Sequence, residues 1–211
     1  MAYASAPADL TLHGVRVLGF ASASRIASRY GLDPGAVAEA LLDFEAYGWV
    51  SQMSVAGSPG WSLTDAGRAE NEARLAAELD EAGARTAVTR AHAEFVPLNR
   101  RLAAACTNWQ VRPAIGDPMA INDHTDWRWD ERVLRELASL DRSFGRICQQ
   151  LEGRMQRFAG YAGRYSSALA KALAGQRAWV DGPDRESCHL VWMQFHEDLL
   201  ATLAIPRGSD P

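Results

Sequence analysis

A glycine followed two residues later by an Asp-Pro pair separates two short helical patterns near the N-terminus, and this feature most constrains the fold. Ser22 or Ser24 can cap a first helix, which Gly31 ends because glycine readily adopts a positive φ. Asp33 can cap a second helix with Pro34 at its first position, where the missing N–H of proline costs nothing. The sequence therefore predicts two helices joined by a tight turn.

Two strand patterns follow the second helix, which Gly48 ends. They cover residues 49–55 and 61–63, and the turn-forming segment AGSPG separates them. Thr64 and Asp65 then begin a long helical pattern. The apolar stripe of the second helix consists of Val37, Leu41 and Phe44. We therefore expect a β-hairpin between the short helices and a longer one.

The segments IASRYGLDPGAVAEALLDFEAYGWV and WSLTDAGR, in this order and spacing, resemble the winged helix-turn-helix domain of the MarR and PadR families of bacterial transcriptional regulators. The resemblance covers about residues 10–82, somewhat over a third of the chain. It implies a mainly α protein whose N-terminal winged helix carries a small hairpin wing. It also implies a DNA-binding regulator whose second motif helix enters the major groove.

The residues expected to face DNA under this resemblance are poor in positive charge. The candidates are Arg25, Arg29, Ala36, Glu39, Ala40, Asp43 and, in the wing, Ser58. Residues 1–80 contain 5 basic and 10 acidic side chains, although DNA affinity depends largely on neutralising phosphates. Two hypotheses therefore remain: a DNA-binding regulator, or a winged-helix protein that does not read DNA and serves as an interaction subunit or an enzyme.

Residues 83–205 predict a helical bundle of about four helices, expected to dimerise and to bind a ligand. Pro97 should break or kink its first helix, and residues 108–129 read as a long loop. The apolar residues Val133, Leu137, Leu140, Phe144, Ile147 and Leu151 repeat at alternating spacings of four and three residues, which indicates a packed helix.

Aromatic residues are concentrated in this second region, where they could line a pocket for a small apolar or aromatic ligand. The candidates are Trp109, Trp127, Trp129, Tyr161, Tyr165, Trp192 and His196. Burial in the bundle core is the competing interpretation, because aromatic side chains dominate core packing. Arginines along residues 128–146 could hold an anion, or could form ion pairs four residues apart, such as Glu131–Arg135 and Arg132–Glu136.

Catalytic and metal-binding motifs are not evident. His189 and His196 are seven residues apart, about 10 Å along a helix, which is too far for one metal ion. Acid–base chemistry remains possible for His124 with Asp123 or Asp126, or for His196 with Glu197. We expect no metal and no cofactor.

The composition indicates a cytoplasmic protein. Hydrophobic residues make up 47% of the chain, yet no apolar run approaches the roughly 20 residues that span a bilayer. The N-terminus lacks the features of a secretory signal, and three well-separated cysteines suit reduced thiols. Expected partners are duplex DNA, a small ligand and a second copy, because two half-sites double the DNA contacts.

Overall fold

The computed structural model describes residues 1–55, 57–206 and 208, so Ala56, the first residue of the AGSPG segment, lies outside the described residues. The chain is mainly helical, with one two-stranded antiparallel sheet, which confirms the predicted fold class at this level. The elements are α1 (Pro7–Leu18), α2 (Ala23–Tyr30), α3 (Pro34–Ala46), β1 (Val50–Val55), β2 (Ser58–Leu63), α4 (Asp65–Glu81), α5 (Arg85–Gln110), α6 (Trp127–Glu152), a 3-10 turn (Gln156–Phe158), α7 (Tyr161–Leu173), α8 (Ala178–Asp181) and α9 (Cys188–Leu203).

The residues form two compact units that are discontinuous in sequence. Unit 1 contains Met1–Val88, Glu152–Arg157 and the residues described from Gln194 onwards. Unit 2 contains Thr89–Leu151 and Phe158–Met193. The sequence predicts a single division between residues 82 and 83, whereas α9 contributes its residues 194–203 to the same unit as α1–α4.

The short helices of unit 1 begin and end where the sequence predicts. The Ser22 hydroxyl accepts a hydrogen bond from the backbone N–H of Arg25, and Gly31 follows α2 with φ 67°. The Asp33 carboxylate accepts from the backbone N–H of Ala36, with Pro34 as the first residue of α3. These caps satisfy amide groups that have no partner within the helix.

The hairpin is longer than expected on its second strand, which begins at Ser58 and not at Trp61. Val50 pairs with Leu63 and Val55 with Ser58. Gly60 can lie within β2 because it packs against the ring of Phe20, where an added Cβ would approach ring carbons to 2.5 Å. Residues 58–60, which the sequence assigns to the turn, therefore belong to the strand β2.

One apolar core joins α1, α2, α3 and the hairpin. Its members are Leu12, Val15, Ala21, Ile26, Ala27, Val37, Leu41, Phe44, Val50 and Trp61. The predicted stripe of α3 supplies three of these residues. Since the inward face of α3 is used for this packing, its remaining residues are left towards solvent.

A second, polar layer of unit 1 is a buried ionic network. The carboxylate of Asp198 in α9 accepts hydrogen bonds from Arg157 and, at 3.0 Å, from Nε2 of His13 in α1. Arg157 also donates to Glu78 of α4 at 3.1 Å and to the Thr202 hydroxyl at 2.7 Å. The side chains of Arg157 and Asp198 are 1% and 0% exposed, so this is a paired charge fully removed from water.

Desolvation by burial would raise the pKa of Asp198, but the attraction of Arg157 and His13 outweighs it. The pKa of this carboxyl therefore lies well below its usual value. Arg16 extends the layer on α1 by donating to Glu197 at 2.9 Å and to Glu72 at 2.8 Å. The network thus links α1 to residues 197 and 198 of α9 by charge.

Unit 2 is built on the long helices α5 and α6 together with α7. The predicted apolar stripe of α6 is confirmed, because each of its members is buried. Of the predicted break or kink at Pro97, a break does not occur, since α5 continues from Arg85 to Gln110. Buried residues before and after Pro97, including Phe95 and Leu102, supply packing that offsets the roughly 3 kcal/mol cost of an internal proline.

The loop between the two long helices covers residues 111–126 and is shorter than the predicted 108–129. The reason is that α5 extends to Gln110 and α6 begins at Trp127. Its remaining residues are ordered by single bridges between Val111 and Ile121 and between Ala114 and Asp117. A long polar segment between two helices therefore carries local structure of its own.

Candidate functional sites

The outward face of α3 is one candidate surface. Ala36, Glu39 and Asp43 are exposed, as predicted for residues that would meet DNA, and Ala40 is half-buried. Ser58 is exposed at the first position of β2. The fold therefore leaves this set of candidates accessible on one unit.

The two arginines of α2 differ in their surroundings. Arg25 is exposed near the start of the helix, whereas Arg29 is half-buried. The guanidinium of Arg29 lies 4.7 Å from the centre of the Tyr30 ring and donates to the backbone carbonyl of Arg157 at 3.4 Å. Of the two arginines predicted to contact phosphates, Arg25 is exposed to solvent. The Arg29 guanidinium already contacts the Tyr30 ring and the Arg157 carbonyl.

Negative charge and apolar side chains dominate the α3–hairpin surface. Residues 31–67 contain five carboxylates and no Lys, Arg or His. Glu39, Asp43 and Glu45 are all exposed. Leu42, Tyr47, Met53 and Val55 are exposed as well, by 59%, 67%, 47% and 50%. This surface can accept hydrogen bonds and contact apolar groups, but it supplies no cation to a phosphate.

The aromatic residues predicted to line a pocket lie in different places. Tyr161, Tyr165 and Trp192 have 0% exposure and fill the core of unit 2. Trp192 stacks on Phe144 with ring centres 4.6 Å apart, and its indole N–H donates to Asn99 Oδ1 at 2.9 Å. These positions match the competing interpretation of core packing. His196 belongs to unit 1.

Trp109 is buried beside His124. The two ring centres are 4.5 Å apart, and His124 has the unusual backbone φ of 61° for a residue with a side chain. Its Nδ1 lies 2.9 Å from Asp130 Oδ2, and Asn122 donates to the other oxygen of that carboxylate at 2.9 Å. His124 therefore pairs with Asp130 and not with the expected Asp123 or Asp126.

Asp126 instead serves as the first residue before α6, where its carboxylate accepts from the backbone N–H of Trp129 and Arg128. These hydrogen bonds and the nearby Arg112 hold the pKa of Asp126 below its usual value. The polar groups of the loop are thus used to anchor it to α6.

Trp127 and Trp129, at the start of α6, are the most accessible of the predicted ligand residues. Trp127 is 64% exposed. Trp129 is half-buried and lines a groove of about 420 Å³ between α5 and α6. The groove lining consists of Arg101, Ala104, Ala105, Asn108, Trp129, Arg132, Val133 and Glu136. Trp129 is the only one of the predicted ligand residues in this lining.

Arg132 is among the arginines that the sequence offers as holders of an anion, whereas the other groove residues were not predicted, although a periodic signal was present. The α5 members are spaced by three, one and three residues, as are the α6 members, so each set shares one helical face. Sequence spacing identifies such a face but cannot say which face of another helix it meets. The buried partners His13, Arg157 and Asp198 were missed for the same reason.

No metal site is formed within residues 1–55, 57–206 and 208, where no group of three or more His, Cys, Asp or Glu side chains could hold an ion. Burial raises the pKa of the Cys106 and Cys188 thiols to about 12, so neither side chain is suited to be a thiolate nucleophile. Within the same ranges, no helix combines the length and apolarity that crossing a membrane requires.

Comparison with protein-family models, with curated proteins and with solved structures finds no significant match to this chain.

Proposed function

We propose that this protein is a winged-helix transcriptional regulator that binds duplex DNA as a homodimer through α3 and the hairpin, with unit 2 as its ligand-binding region. The observation that carries the proposal is the common core of α1–α3 and the hairpin, which leaves the outward residues of α3 exposed. This order of elements corresponds to the winged-helix resemblance seen in the sequence. In this reading α3 is the recognition helix.

The exposed side chains of α3 determine which DNA base edges this helix can recognise. Gly35 and Ala36 are small and exposed at its N-terminal end, so the backbone can approach base edges closely. An alanine methyl group packs on the methyl group of thymine, and the carboxylates of Glu39 and Asp43 accept hydrogen bonds from the amino group of cytosine. The recognition chemistry proposed here is therefore acceptor-rich.

Few phosphates are neutralised in this mode of binding. Arg25 supplies one exposed guanidinium in each protomer, which gives about two phosphate contacts per dimer. The logarithm of affinity should fall against the logarithm of salt concentration with a slope of about −2, well below the slope expected for 6–10 contacts. The proposed regulator is therefore a weak binder with unusually low salt sensitivity.

Fluorescence anisotropy tests the proposal with duplexes tiled across the DNA upstream of the protein's own gene, titrated from low to moderate salt. Arg25→Gln should weaken binding and reduce the salt slope towards zero. Arg85→Gln is the matched control, because Arg85 is an exposed arginine of unit 1 outside α2, α3 and the hairpin. Binding to no duplex even in dilute buffer, or equal effects of both variants, would contradict the proposal.

A second candidate function is favoured by the absence of cations from residues 31–67. Under this alternative the α3–hairpin surface docks a basic protein partner and does not read DNA. The wild-type protein would then ignore duplexes, and Glu39→Lys combined with Asp43→Lys would create DNA binding that it lacks. Under the first candidate, the wild-type protein already binds.

A further inference from the structure

The groove between α5 and α6 has the size and lining of a small-molecule site within unit 2. Its volume of about 420 Å³ falls in the usual range for ligand pockets, roughly 300–1,000 Å³. Ala104 and Ala105 on α5 and Val133 on α6 supply apolar surface. The alanines leave space between the helices that larger side chains would fill.

One cation in the groove is already neutralised. Arg101 donates to Glu136 at 2.7 Å and to the Ser139 hydroxyl at 2.6 Å. The hydrogen bond from Arg101 holds the pKa of Glu136 below its usual value, so Glu136 is ionised beside Arg101 at neutral pH. Arg101 and Glu136 together contribute no net charge to a ligand.

The second cation has no such partner. The guanidinium of Arg132 lies 4.9 Å from the centre of the Trp129 ring. Within the described part of the chain it makes no hydrogen bond or ion pair, because Glu136, the partner expected from sequence spacing, pairs with Arg101. Stacking on an aromatic face occupies the plane of a guanidinium and leaves the N–H groups at its edge available.

Trp129 is itself fixed in place by a hydrogen bond. Its indole N–H donates to the backbone carbonyl of Asn108 at 2.6 Å, across the groove from α6 to α5. The Asn108 carboxamide lines the same groove and adds a polar group beside the arginine. The Arg132 guanidinium therefore lies over an indole ring that is already held in place. This arrangement reduces the conformational entropy that is lost when Arg132 binds a ligand.

We propose that this groove binds a small monocarboxylate with an apolar body. The carboxylate pairs with the edge of Arg132, and the apolar body lies on Ala104, Ala105 and Val133. One uncompensated positive charge selects a ligand with one negative charge, and a guanidinium fork matches the geometry of a carboxylate. The inference rests on the proposed ligand-binding role of unit 2 and specifies its ligand class.

Isothermal titration of the full chain with cyclohexanecarboxylate, and separately with the neutral cyclohexanecarboxamide, tests the proposal. The carboxylate should bind about tenfold or more tightly than the amide. Arg132→Gln should remove this preference. Ala104→Leu, which fills the groove at an exposed position, should weaken both ligands by about tenfold or more without lowering the thermal midpoint.

Arg135→Gln is the matched control, because Arg135 lies on the same helix, pairs with Glu131 at 3.0 Å and does not line the groove. It should leave carboxylate binding within about twofold of the wild type. The proposal is overturned by equal binding of acid and amide, by equal effects of the two arginine variants, or by no carboxylate binding up to about 5 mM. Because no DNA is present, this outcome is separate from failure of DNA binding.

Discussion

Asp198→Asn is predicted to be strongly destabilising, because it removes the fully buried carboxylate that Arg157 and His13 share. The side chains of Asp198 and Arg157 are almost completely buried, and the amide is nearly the same size as the carboxylate, so the change leaves no cavity. Arg157 would keep Glu78 and Thr202 as hydrogen-bond partners. It would lose the Asp198 carboxylate, whose side chain is 0% exposed. Breaking a buried pair from one side typically costs about 3–5 kcal/mol.

This loss corresponds to a fall in the thermal midpoint of roughly 6–20 °C for a chain of this length, at about 2–4 °C per kcal/mol. Circular dichroism during heating and urea titration measure it. Asp80→Asn is the control, because Asp80 and its partner Arg85 are 69% and 54% exposed. An exposed ion pair contributes less than about 1 kcal/mol.

A combined replacement separates the charge effect from a general sensitivity of the site. Asp198→Leu and Arg157→Met remove both charges of the pair, and Glu78→Gln removes the carboxylate that Arg157 contacts at 3.1 Å, so none of these charges is left buried without its partner. Exchange of buried ionic groups for apolar residues is often close to neutral. The triple variant should therefore be more stable than Asp198→Asn alone.

The pH dependence has a defined sign, because the pKa of Asp198 is lowered in the folded protein. Its contribution to the free energy of unfolding is complete above the unfolded value, about pH 4, and is lost as the pH falls below that value. The difference in stability between wild type and Asp198→Asn should therefore shrink only in acid. A midpoint for Asp198→Asn within the range of Asp80→Asn would refute the reasoning.

Three further predictions concern packing and thiol chemistry, measured by thermal unfolding and thiol titration. Gly67→Ala should destabilise the protein by about 1–3 kcal/mol, because the new Cβ would lie 1.8 Å from the backbone oxygen of Trp49. Gly145→Ala, inside α6 with open space beside the helix for the added Cβ, should instead stabilise it by up to about 1 kcal/mol. Cys106 and Cys188, whose thiol pKa is about 12, should not react with a disulfide reagent at pH 8 until urea unfolds the chain. Rapid labelling of the native protein, or equal effects of the two alanines, would contradict these expectations.

Local chemistry made the N-terminal elements readable from the sequence. The caps at Ser22 and Asp33, the glycine at position 31 and the stripe of α3 depend on neighbours within a few residues. The periodic stripe of α6 was equally visible, since helical spacing is a local property. The mainly α class with one hairpin followed from these signals.

Elements whose structure depends on contacts distant in sequence were predicted less accurately from the sequence. Pro97 lies within a continuous helix because buried residues on both sides of it hold that helix together. The strand β2 extends back through Pro59 and Gly60, where a glycine is needed against the ring of Phe20. In each case tertiary packing overrode a local preference for a break or a turn.

The sequence by itself determined where α2, α3 and α4 begin, which residues of α3 and α6 face inward, and the lack of positive charge between residues 31 and 67. Only the tertiary structure decided that Asp198 meets Arg157 and His13, that Glu136 pairs with Arg101 and that Arg132 is left open in a groove. The physical reason is the separation along the chain between the residues that interact. Caps and stripes are set by bonds and turns of the chain itself, whereas these charge pairings are set by which helix faces meet after folding.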